Sequence, residues 1–128
     1  MESGEDVWQF EKLEQQLHSF LVEVSELSKK KPNDALNKFK LKFINATLEA
    51  LNKLLDKHRP FKDFATFDAD DLPTNSDVVV ILAQYATATY NFRRDQTIQV
   101  SYKWHWVVRG KPSETETERP EHFRYEQK

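Results

Sequence analysis

Thr97-Ile98-Gln99-Val100-Ser101-Tyr102-Lys103-Trp104-His105-Trp106-Val107-Val108-Arg109 is the stretch in which apolar residues recur at every second position. Ile98, Val100, Tyr102, Trp104, Trp106 and Val108 alternate with mostly polar neighbours. On a helix this set scatters around the circumference, whereas on a strand it shares one face. The spacing predicts one β-strand over 97–109. Such a strand needs a partner, because an open edge leaves backbone donors and acceptors unpaired. Within the chain only 62–67 offers one; the alternatives are a second copy or another protein.

Upstream of this stretch the apolar period changes to that of a helix. Phe10, Leu13, Leu17, Phe20, Val24 and Leu27 form one stripe and predict a helix over 7–28, with acids at its start, Lys29-Lys30-Lys31 at its end and Pro32 as its stop. Asn33 is the expected N-cap of a second helix over 34–58. That helix carries two stripes: Leu36, Phe39, Phe43, Ala46 and Ala50, then Leu41, Ile44, Leu48, Leu51 and Leu55. Its apolar arc is wider than one neighbour requires. Pro73-Thr74-Asn75-Ser76-Asp77 is the clearest start signal, a capping box with Asp77 in place of the usual Glu or Gln. It opens a third helix over 75–94 with Val78, Leu82, Tyr85, Thr89 and Phe92 on one stripe. In the connector 59–73, Phe61, Phe64 and Phe67 are expected to pack back onto the helices.

The expected fold is therefore mainly α: an antiparallel three-helix arrangement with one late β-strand at about 97–109. A single domain spans 1–109. The Glu-Thr run Ser113–Glu118 belongs to a mobile, polar C-terminal tail over 110–128, at whose end His122, Phe123 and Tyr125 could dock.

Composition narrows the function. The 128 residues include only two glycines, Gly4 and Gly110, where average usage gives about nine. A dinucleotide fingerprint and a Walker loop are both impossible without more, and tight hairpins are disfavoured. Zero cysteines exclude disulfides and thiolate chemistry. The N-terminal residues are acidic and carry no signal-peptide core, and the longest apolar run, Val78–Ala83, is too short to span a bilayer. The expectation is a soluble, cytoplasmic protein without a membrane partner.

Charge is unevenly placed. Residues 1–28 carry net −6, 29–62 net +7, 63–78 net −5, 79–112 net +4 and 113–128 net −2. The plain reading is pairing between acidic and basic elements, within the chain or across a dimer. The functional reading is an anion-binding face formed by Lys29, Lys30, Lys31, Lys38, Lys42 and Arg59.

No catalytic constellation is legible. His18, His58, His105 and His122 lack metal-ligand spacing, and Asp68, Asp70 and Asp71 lack the glycine and terminal glutamate of a calcium loop. No cofactor and no metal are expected. Arg93-Arg94 lies too far from a following histidine for the Arg-x(4–6)-His pattern of small helical ribonucleases. Tyr102, Trp104, Trp106 and Arg109 are of the types that anchor protein interfaces. The expected function is a non-enzymatic protein-interaction module, self-associating or part of a larger assembly. The alternative is a nucleic-acid-associated accessory protein using 29–62. A third reading is a small enzyme with His105 and Arg109 at a site between protomers.

Overall fold

A computed structural model describes residues 1–100 and 102–117. Three helices, α1 (Gly4–Lys30), α2 (Lys38–Leu55) and α3 (Asn75–Asp95), precede a small sheet of three antiparallel strands, β1 (Thr97–Val100), β2 (Lys103–Val108) and β3 (Lys111–Thr117), in the order β1-β2-β3. No helix among the described residues is long and apolar enough to cross a membrane.

The helices form where the apolar spacing puts them. All five stripe residues of α3 are buried, and so are Leu41, Ile44, Leu48, Leu51 and Leu55 of α2. Phe10, Leu13, Leu17 and Val24 of α1 meet them, with Phe20 and Leu27 at the margin. Ser3 caps α1 by accepting from the Asp6 N–H at 3.2 Å. At α3 the capping box is complete: Thr74 Oγ1 accepts from Asp77 N at 3.1 Å, and the Asp77 carboxylate accepts from Thr74 N at 3.2 Å. Thr74→Ala is expected to cost about 1 kcal/mol, read as a lowered urea midpoint with an unchanged slope.

The second helix starts four residues later than its sequence suggests. Its cap is Asn37, not Asn33; the Asn37 side-chain oxygen accepts from Phe39 N at 2.8 Å and Lys40 N at 3.2 Å. The intervening loop spends its backbone groups on the start of α3. Leu36 N donates to Pro73 O, Asn75 N to Asp34 O and Ser76 N to Pro32 O, all within 2.9–3.1 Å, around a bridge between Ala35 and Thr74. The Asn75 side chain, buried here, donates to Lys31 O at 2.9 Å. These bonds lock the α1–α2 turn to the head of α3, which explains why apolar Leu36 is buried without being helical.

The connector holds no strand. Phe61, Phe64 and Phe67 stack edge to face in series and continue to Tyr85, with ring centroids 5.1–6.4 Å apart. Asn45 and Asn52 of α2 anchor it, bonding Phe67 through both amide atoms and the Ala65 carbonyl, each at 2.9 Å.

The late region departs most from expectation. The single strand over 97–109 is instead a hairpin: the chain reverses between Val100 and Lys103, which are register partners, as are Ile98 and His105. Partners in a sheet share a face, so the reversal moves Ile98 and Val100 to the side opposite Trp104 and Trp106. The former are exposed; Trp106 is fully buried. The missing partner of the strand is thus its own other half, together with Lys111–Thr117, which was expected in the tail and forms β3 instead. The β2–β3 turn places both Arg109 (φ 53°) and Gly110 (φ 77°) in the left-handed region, the type I′ signature that twists correctly for a hairpin. Scarce glycine did not prevent tight turns, because Arg109, like Asp56 and Leu72, takes a positive φ itself. Residues 118–128, with His122, Phe123 and Tyr125, lie outside the described residues.

Candidate interaction surface

Two constellations stand out, and they differ in kind. The first joins sheet to helices. Trp106 is fully buried, 5.4 Å from the Phe10 ring centroid in an edge contact, and its indole N–H donates to Glu11 Oε1 at 2.6 Å. The Arg93 guanidinium lies 4.8 Å from the Trp106 ring and grips Glu14, with Nη2–Oε1 at 2.5 Å. Arg93 also donates to Thr117 Oγ1 on β3, and Thr97 Oγ1 donates to the Arg93 carbonyl at 2.7 Å. These bonds tie α1, α3 and the sheet together, so the arrangement works as a clamp between them. Little in the local pattern points to it, since Glu11, Glu14 and Arg93 look like ordinary helix-surface charges; their placement beside the Phe10 and Phe92 stripes is the one available clue.

The second constellation is a surface. The Phe39–Phe43 part of the first α2 stripe faces away from the core, while Leu36 is buried and Ala50 packs against the core's margin: Phe39 is 70% and Phe43 48% exposed, with their rings in edge contact at 5.0 Å. Further along the same stripe Ala46, Ala50 and Leu54, with Gln9 of α1, line an open hollow of about 440 Å³ rimmed by Glu49 and Lys53. Small alanines between larger apolar residues make the depression. Trp8 (61% exposed) and Val22 (65%) add apolar surface on α1. Scattered exposed apolar residues are ordinary, but a contiguous apolar stripe with a hollow is the form that partner-binding surfaces take.

The candidate interface residues of the late region are divided by the fold. Trp106 is a core residue and presents no surface, which corrects its expected role; the hairpin turns it inward onto Phe10. Trp104 is half-buried on the same face, Tyr102 is 97% exposed beyond the end of β1, and Arg109 sits in the β2–β3 turn with its Nε donating to Glu2 O at 3.1 Å. They form no joint patch. His105 lies on the outer sheet face, its Nδ1 donating to Ser113 O at 2.8 Å, away from Arg109.

Of the basic set, Lys29 pairs with Glu26 at 3.1 Å, while Lys30, Lys31, Lys38 and Lys42 are exposed around the α1–α2 turn. Arg59 is turned inward, donating to Phe64 O at 2.7 Å, with its Nε buried. No group of three or more metal-ligating side chains occurs among the described residues.

Neither protein-family models, nor curated proteins, nor solved structures yield a match to this chain.

Proposed function

We propose that this chain is a non-enzymatic protein-interaction module that self-associates or serves as a small subunit of a larger assembly. The observation that carries the reading is the outward stripe of α2. Its inner stripe already supplies the core, and neither Phe39 nor Phe43 belongs to it: Phe39 is mostly exposed and Phe43 about half exposed. Fully burying an exposed ring releases roughly 1.5–3 kcal/mol, most of it open to Phe39 and about half of it to Phe43.

The arrangement that presents this stripe is a three-helix bundle in which α1 runs antiparallel to both α2 and α3; the last two run parallel, with the Ala35–Thr74 bridge at their starts and the Asn52–Tyr85 bond further along, which departs from the fully antiparallel order expected. Its support lies in the side-chain pairs: Gln16 with Thr47 and Glu23 with Lys40 between α1 and α2, and Glu14 with Arg93 and His18 with Tyr90 between α1 and α3, run in opposite senses along their helices. The alternative, a nucleic-acid-associated accessory protein, retains the exposed lysines around the α1–α2 turn but not Arg59.

Native mass spectrometry and light scattering on the full chain test the proposal. Dimers or higher species at high micromolar concentration are expected. A monomer throughout refutes self-association, and retention of RNA or DNA that falls steeply with salt favours the alternative.

A further inference from the structure

We infer that two copies of this chain pair through the α1–α2 face, α1 of each copy lying along α2 of the other. The inference rests on the self-association proposed above and supplies its geometry.

The outer face of α1 carries its own exposed stripe, Trp8, Lys12, Gln15, Ser19, Val22 and Glu26, at 4-3-4-3-4 spacing. Within one copy, Gln16 meets Thr47 and Glu23 meets Lys40, residue numbers that total 63 in both pairs. A residue of α1 thus lies level with the residue of α2 that completes that total. A two-fold axis parallel to the helices and midway between them sets α1 over α2 of the second copy at the same level, in the opposite direction.

The register then matches chemistry with chemistry. Trp8 comes level with residue 55, beside Leu54 and the hollow over Ala50. Val22 comes level with residue 41, between the exposed rings of Phe39 and Phe43. Glu26 falls beside Lys38, and Lys12, level with residue 51, falls half a turn from Glu49. Apolar groups meet apolar groups and Glu26 meets Lys38, twice over by symmetry; Lys42 and Lys53 face no acid of the α1 stripe. The alternative two-fold, α2 against α2, sets the row Lys38, Lys42 and Lys53 against itself, which like-charge repulsion disfavours. The acidic 1–28 and basic 29–62 segments are thereby complementary surfaces of one self-pairing face.

The test uses the full chain. The wild type is expected to dimerise, and Phe39→Ser/Phe43→Ser, which alters only exposed side chains, to weaken the dimer by about tenfold or more. Because the chain has no cysteine, a Glu26→Cys chain mixed with a Lys38→Cys chain carries one thiol per copy. Oxidation is expected to link them as a mixed pair. A wild-type dimer that keeps its affinity in the double serine variant and yields no mixed disulfide overturns the geometry while leaving self-association standing. A wild type that stays monomeric at high micromolar concentration overturns both.

Discussion

Trp106→Ala is expected to remove about 3–5 kcal/mol of stability, the range for deleting a fully buried tryptophan. The loss has three sources. The indole fills the space between the sheet and Phe10, its N–H satisfies Glu11, and its face carries the Arg93 guanidinium. Removing it leaves a cavity, a carboxylate without its donor and a cation without its ring. Domains of this size hold only about 5–15 kcal/mol in total, so the loss is a large fraction of the whole and lowers the unfolding midpoint steeply. Urea unfolding followed by far-ultraviolet circular dichroism measures this. Trp106→Phe keeps the aromatic contact and loses the indole donor, so its cost is expected to be smaller. A loss under about 1 kcal/mol for the alanine variant would mean that the hairpin is not docked as described.

Tyr85→Ala is the second large effect, about 3–5 kcal/mol by analogy with Phe→Ala in a core. Tyr85 is fully buried, its hydroxyl donates to Asn52 Oδ1 at 2.6 Å, and its ring receives Phe64 from the connector. Tyr85→Phe keeps the packing and costs about 1–3 kcal/mol through the bare Asn52 acceptor. The same residue gives an alkaline signature. Burial pushes the phenol above its ordinary value of 10.0, opposed by the Asn52 hydrogen bond and by Arg59. A proton is then held more tightly in the folded state than in the unfolded one. The associated stability is complete below pH 10 and is lost as pH rises through the folded value. Melting temperatures measured from pH 9 upward should fall more steeply for the wild type than for Tyr85→Phe, and equal slopes would contradict the burial argument.

The helices were legible because burial and spacing agree residue by residue: Val78, Leu82, Tyr85, Thr89 and Phe92 all lie inside, and Thr74 with Asp77 marks the start. The start of α2 is hidden in the sequence because Leu36 fits a helical stripe yet is buried by the loop's pairing with Pro73. The hairpin was hidden for a sharper reason. Even-numbered apolar positions continue straight through the reversal, although the register exchanges faces there, so an unbroken alternation conceals a turn. In β3, Thr115 and Thr117 alternate with acids, a pattern that marks an edge strand as readily as a tail. The two stripes of α2 were read from spacing; only the structure tells which one faces the core. The clamp of Glu11, Glu14 and Arg93 depends on contacts across 79–95 positions, beyond any local pattern.

Those long separations bear on the order of assembly. Glu11 meets Trp106, and Arg109 donates its backbone N–H to Met1 O at 2.9 Å. The first turns of α1 are therefore completed by residues made nearly a hundred positions later. Helix–helix contacts between α1 and α2 close shorter loops and can form early, whereas the side of Phe10 that meets Trp106 stays uncovered until β2 emerges. During synthesis, α1 spends the interval with an aromatic face open to solvent and to other chains. Sealing that face waits for β2, and the delay sets the window in which a chaperone has something to hold.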